Sequence, residues 1–295
     1  MFHAFLILIL GLSGAWGWGF RGHIAISRVA FSMLHENTVS FMSRIMRTPV
    51  GPPEFAEMSV WADKVARVPR YDWSKNLHFT RKSKCLPHYI VQQDPDCLLS
   101  SVTHFADVLM NRDEKPKLIS DPDALRFLIH FAGDLHAPFH IGDDEDLNGG
   151  GIIVYDPVLC LVEKKTPSSP TVSLHGVWDS HILKIRESQT GQKLEEIVNN
   201  FVSDIQKEKQ TTLRGRSLGF KESESLAELS IRAAFASRTI TKEVGLVDPK
   251  GQPILSRTHL SREYFDRACP LALAAVKEAG VNLATILNRI ADANQ

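Results

Sequence analysis

The sequence predicts an all-α domain with a short β insertion near 150–160. Three observations carry that prediction. Apolar residues recur three and four positions apart through most of the chain, the spacing of one helical face. Residues that start and stop helices bracket those stretches. The one long departure, 142–172, is a glycine-rich loop that feeds one or two short strands and ends in the polar run KKTPSSPT.

Taken in order, residues 1–17, MFHAFLILILGLSGAWG, hold no charged side chain and run apolar from Phe2 to Leu10. Small residues at Ala15 and Gly17 precede Trp18, the pattern of a secretory leader cut before Trp18, with the free amine as its sole positive charge. The leader is too short to span a bilayer, and no later stretch reads as long and apolar enough to do so. Residues 18–295 are then expected to form one domain.

His23 to Glu36 keeps helical spacing, and Pro52-Pro53 open a second helix through Glu54 to Arg67. A third starts with Asp121 as cap, Pro122 in the first turn and Asp123 at the positive end. It runs until Pro138, which a helix interior excludes. Further helical patterns cover 174–187, 191–208, 223–244 and 260–292, where Pro270 predicts a kink or a split.

With 34 basic and 34 acidic side chains in 295 residues, 43% of them apolar, the chain is neither disordered nor a protein that grips nucleic acid through a basic surface. Neutrality leaves open an enzyme that meets phosphate through bound metal. Four cysteines are too few for a disulfide scaffold. Cys85 and Cys97 bracket a short loop and can pair after export; Cys160 and Cys269 either pair or stay free. The sequence has no Asn-x-Ser/Thr sequon, so a periplasmic location is as compatible as a secreted one.

Histidine and aspartate recur at one spacing. His130 and Asp134 are four apart, as are His175 and Asp179, which puts each pair on one helical face, one turn apart. His140 lies just past Pro138, where the chain can fold back over the helix end. Imidazole and carboxylate without thiolate suit a catalytic zinc ion. Cleavage before Trp18 would expose an amine and a carbonyl oxygen able to close a five-membered chelate ring, with His23 five residues on.

These residues fall within five ordered motifs: WGFRGH from Trp18, WAD at 61–63, NLHF at 76–79, HFAGDLHAPFH at 130–140 and LHGVWDS at 174–180. The set resembles the trinuclear-zinc, single-strand-specific nucleases of the S1/P1 type, whose fold is similar to that of bacterial zinc phospholipase C. The resemblance implies three Zn2+ ions. Asp63, His78, His130 and Asp134 would hold one. The Trp18 amine and carbonyl, His23 and the other oxygen of Asp134 would hold a close second. His140, His175 and Asp179 would hold the third. It also implies water activated between the paired ions, cleavage of single-stranded RNA or DNA to 5′-phosphorylated products, and for many members removal of a 3′-phosphate. Asp63 and Asp134 are accordingly the candidate catalytic carboxylates of a secreted or periplasmic monomer.

Three departures bear on substrate. The family's phosphate-facing Arg, three after the WAD aspartate, is Ala66 here, with Arg67 the candidate in its stead. The base-reading Asp that follows His-Phe is replaced in Phe79-Thr80-Arg81, leaving Phe79 to stack on a base. The Gly-Gly-Asn loop is replaced by Asn148-Gly149-Gly150-Gly151. Phe79, Arg81 and Asn148 are therefore the candidate substrate contacts. Cys85 resembles a family cysteine whose distant partner position holds Ser237. His136 and the remaining histidines are expected to pack or cap, and Trp61 and Trp178 to wall the site. Two alternatives use the same residues: a zinc phospholipase C acting on lipid headgroups, and a zinc-binding member without turnover.

Overall fold

The structure, a computed structural model, describes residues 18–81, 97–110, 119–142, 150–162, 171–212 and 224–295, with backbone alone at 81, 159–160 and 208–212. The leader, Cys85 and Asn148 lie outside the described residues. The domain is all-α with a short β insertion. Its helices are α1 (Gly19–Phe31), α2 (Glu36–Met46), α3 (Pro52–Val65), α4 (Leu98–Leu109), α5 (Asp121–Asp134), the single turn α6 (Leu174–Gly176), α7 (Ile182–Thr190), α8 (Leu194–Thr212), α9 (Leu226–Ile240) and α10 (Arg262–Asp292).

α10 is the central element, packed by α1, α2, α5, α7 and α9. It approaches α1 so closely that a Cβ on Gly280 would lie 2.5 Å from Val29. α3 lies across α1 and α5, and α4 lies on α5. The layers thus bring the inner faces of α1, α3 and α5 to one line. Those faces are buried, with Ala25, Ile26 and Val29 from α1, Phe55 and Ala62 from α3, and Phe127 and Phe131 from α5.

Among the described residues, two pairs of short strands accompany the helices. β1 (Thr80–Arg81) runs parallel to β2 (Ile141–Gly142), and β3 (Ile153–Tyr155) pairs antiparallel with β4 (Thr171–Ser173). The first pair places the segment after His78 beside the segment after His140, locked by Thr80 N donating to His140 O at 2.8 Å. The second is the insertion expected within 142–172.

Several expectations change. Ser120, not Asp121, caps α5, its hydroxyl accepting from Asp123 N. The pattern 23–36 splits at residues 32–35, because His35 is extended and a new helix starts at Glu36. Pro270 does not split the last helix, which runs unbroken from Arg262 to Asp292; its ring is exposed while Cys269 and Ala272 beside it are buried, so packing holds the turn. Residues 174–187 form α6, a π-helical turn Val177–His181, and α7. By length and composition α10 does pass as a membrane span, contrary to expectation, but 61% of that apolar stretch is buried within the protein.

Candidate metal centre

Each face of the assembly contributes a polar residue where an apolar one would be expected. α5 carries His130 and Asp134, both fully buried and one turn apart. α1 carries His23 and α3 carries Asp63. A 3-10 run, Pro69–His78, ends in buried His78. His140 follows Phe139, whose φ of 75° is the left-handed region that a bulky side chain avoids. The strain is held by Phe139 N donating to Thr241 Oγ1 at 2.8 Å, and the turn sends His140 back beneath α5. His175 lies in α6, and Asp179 in the π-helical turn that follows.

The Asp134 carboxylate is the hub. Its Oδ2 lies 3.0 Å from His78 Nδ1 and 3.2 Å from His130 Nε2. Its Oδ1 lies 3.1 Å from His23 Nε2. One carboxylate therefore faces two histidine groups with separate oxygens. Asp63 Oδ1 closes on the first group, 3.5 Å from His130 Nε2 and 3.8 Å from His78 Nδ1. A third group forms beside them, with Asp179 Oδ1 3.6 Å from His140 Nε2 and Asp179 Oδ2 3.1 Å from His175 Nε2. Candidate ligand atoms fall within 4.8 Å of one another in three sets: His23, Asp63 and His130; His78, His130 and Asp134; and His140, His175 and Asp179.

Backbone carbonyls aim two of the rings. His130 Nδ1 meets Ser59 O at 2.7 Å, and His140 Nδ1 meets His78 O at 2.6 Å. A carbonyl can only accept, so Nδ1 carries a proton and Nε2 is the atom left to face the carboxylates, as a donor while the ring is charged and as a ligand once it is neutral. His23 stacks on His130 with centroids 3.9 Å apart. Gly133 leaves room for that ring, since a Cβ there would meet His23 Nδ1 at 3.0 Å.

The electrostatics are those of a site built for cations. Burial pushes His23 and His78 down to about 4, so both stay neutral near pH 7. Burial pushes the Asp63 carboxyl up to about 7. At His130 burial acts downward, but the charges of Asp134 and Asp63 outweigh it and raise the ring to about 9. Burial opposes ionisation of Asp134, yet the charges of His130 and His140 hold it well below the usual carboxylate range. Among the described residues, His23 Nε2, Asp63 Oδ1, Asp134 Oδ1, His140 Nε2 and both Asp179 oxygens are buried without a hydrogen bond. Leaving a buried polar atom unsatisfied costs about 1–3 kcal/mol. Imidazole nitrogens and carboxylate oxygens converging without thiolate fit a divalent cation, and bound metal would satisfy these atoms together.

The other candidates fall around this centre. Trp18 is buried at the start of α1, its carbonyl accepting from Gly22 N at 3.2 Å. Half-buried Phe79 stacks on His140 at 4.8 Å and meets the His175 ring edge-on at 5.6 Å, so it covers the third group. Arg67 lies on the exposed turn after α3, while Ala66 is buried. Arg81 is placed by its backbone in β1, and Asn148 lies outside the described residues. Trp178 is buried, its Nε1 donating to Tyr264 OH at 2.7 Å. Trp61 packs on Tyr71 and Phe127 under the Arg126 guanidinium. His136 is buried away from the cluster, 2.8 Å from Asn282 Nδ2 of α10. Cys269 is a free, buried thiol, so it does not pair with Cys160. Ser237 donates to Ala137 O at 2.7 Å, bracing the turn that delivers His140.

A family model described as S1/P1 Nuclease matches residues 18–292. The chain is similar to Endonuclease 3 of Arabidopsis thaliana, 27% identical over 98% of this chain and 94% of the relative. It is similar to Nuclease S1 of Aspergillus oryzae, 26% identical over 94% of this chain and 92% of the relative. Nuclease P1 of Penicillium citrinum is 24% identical over 92% of this chain and 97% of its own length.

Proposed function

The chain belongs to the S1/P1 nuclease family, and from that premise we propose that it is a secreted, zinc-dependent phosphodiesterase. Its substrates are single-stranded RNA and DNA, cut to 5′-phosphorylated products, together with 3′-nucleotides from which it removes the phosphate. The observation that carries this reading is the Asp134 carboxylate, which offers one oxygen to His23 and the other to His78 and His130. A shared carboxylate between two imidazole groups is a bridge for two close cations, the arrangement that in-line attack on a phosphodiester uses.

Asp63, His78, His130 and Asp134 hold the first of three zinc ions in this proposal. Trp18, His23 and Asp134 hold the second, and His140, His175 and Asp179 the third. When bound, zinc supplies a lowered pKa for the attacking water and charge to offset the phosphate oxygens. The chain's own residues supply position. Ser59 O and His78 O fix the imidazoles of His130 and His140, and Phe79 offers its ring face to a base. Arg67 is exposed on the turn after the helix that carries Asp63 and is assigned to a phosphate by that place. Arg81 and Asn148 are assigned to substrate by their place in the motifs. Residues 1–17 act as a leader whose removal frees the Trp18 amine, a reading supported by the family match starting at Trp18. Pairing of Cys85 with Cys97 in the exported monomer is supported by Cys97 being disulfide-bonded.

The test offers zinc-loaded protein beginning at Trp18 a single-stranded oligonucleotide and phosphatidylcholine vesicles side by side. Cleavage of the strand with intact lipid is expected. Release of phosphocholine with an intact strand would instead assign the centre to lipid headgroups.

A further inference from the structure

Phe20 and Lys64 lie outside the ligand set, yet each adjoins it. Phe20 sits two residues after Trp18 and one helical turn before His23, and Lys64 follows Asp63 directly. Gly19, just before Phe20, packs so tightly on the third group that a Cβ there would lie 3.1 Å from Asp179 O and 3.0 Å from Ser180 Oγ. Phe20 therefore stands where the first turn of α1, the end of α3 and the Asp179 segment meet.

The pair is also anomalous as surface. Phe20 is 50% exposed, whereas Ala25, Ile26, Val29 and Ala30 of the same helix are at most 2% exposed. The Lys64 ammonium stands 5.8 Å from the centroid of the Phe20 ring, with Glu57 Oε2 2.7 Å from its Nζ. Arg67, three residues beyond Lys64, is exposed as well. A neutral protein has thus set a half-exposed aromatic ring and a cation over it beside the residues of its candidate metal centre.

We propose that Phe20 and Lys64 form a subsite for the nucleotide next to the one whose phosphodiester is cut. The base stacks on the Phe20 ring, and the Lys64 ammonium exchanges Glu57 for the neighbouring phosphate. This inference rests on the nuclease reading above. An aromatic face beside a cation is the combination that holds single strands without regard to sequence. An exposed ion pair such as Lys64–Glu57 contributes little, so phosphate displaces the carboxylate readily. A base inside a duplex has both faces covered by its neighbours and cannot stack on Phe20. The subsite is therefore a source of preference for unpaired strands.

The test is steady-state cleavage of a single-stranded oligonucleotide about a dozen nucleotides long, with zinc content measured on every variant. Phe20→Ala should raise KM about tenfold with kcat within about twofold and zinc unchanged, the effect of losing one stacked base. Phe20→Trp should restore a KM close to the parent's. Lys64→Ala should raise KM and reduce the slope of log affinity against log salt by about one phosphate contact. Phe235→Ala, 59% exposed on α9, is the control and should change nothing. Unchanged KM in both Phe20→Ala and Lys64→Ala would overturn the subsite. Loss of zinc in Phe20→Ala would overturn it too, by making the ring a support for the N-terminal ligands. Parent protein that binds zinc and leaves the strand whole would remove the nuclease reading and the subsite together.

Discussion

Asp134 is the residue on which the candidate centre turns, because its two oxygens face separate histidine groups, His23 on one side and His78 with His130 on the other. Asp134→Asn keeps the shape but replaces a charged oxygen by a donor facing rings that are themselves oriented to donate or coordinate. The variant should lose about two of three zinc ions and more than about a hundredfold in strand cleavage, read by metal analysis and product formation. An unchanged metal content would contradict the bridge. Of the histidines and carboxylates that the fold gathers, spacing paired His130 with Asp134 and His175 with Asp179 and singled out His140 past Pro138, while the resemblance of the ordered motifs added Asp63 and His78. The groups that aim them were not legible. Ser59 O and His78 O are backbone atoms that any residue would supply, and the left-handed Phe139 leaves no mark in composition. Gly133 reads as an ordinary helix-weakening glycine until the His23 ring is seen 3.0 Å from where a Cβ would stand.

At the scale of elements, helical periodicity located the inner faces of α1, α3 and α5, and with them the site. It failed where tertiary contacts decide. α2 and α4 were not anticipated, and neither start carries a strong side-chain cap: His35 makes none, and Cys97 forms its box with Ser100. Pro270 predicts a kink or a split, and the split does not occur, because α10 is held on so many sides that the missing hydrogen bond is tolerated. The contact between α1 and α10 also sets the place of the cluster, because α1 carries His23 and follows directly from Trp18. Gly280→Ala would drive a methyl group into Val29, 2.5 Å away. That overpacking should lower stability by about 1–3 kcal/mol, measured by denaturant titration, and weaken zinc retention at the His23 group. Unaltered stability would mean that α1 is free to slide on α10.

At the scale of the whole molecule, a chain of zero net charge would, in the proposed function, meet a polyanion through cations held in a buried centre rather than through a basic surface. The same dense core keeps Cys269 inert. Burial pushes its thiol up to about 12, against 9.0 for an exposed one. The folded state thus retains a proton that the unfolded chain gives up above pH 9, so this thiol lowers stability as pH rises from about 9 to 12 and has no effect below that window. Alkylation at pH 8 should accordingly reach Cys269 only at the rate of unfolding; rapid labelling of native protein would contradict its burial.

The central claim, a metal-dependent cleavage of unpaired strands, is tested most directly on protein beginning at Trp18. Single-stranded DNA is incubated with it before and after zinc removal by a chelator, and the ends of the products are analysed. About three zinc ions per chain, products with 5′-phosphates, loss of cleavage on chelation and recovery when zinc is restored are expected. Cleavage that continues with the metal removed, or full zinc occupancy with the strand left whole, would contradict that claim.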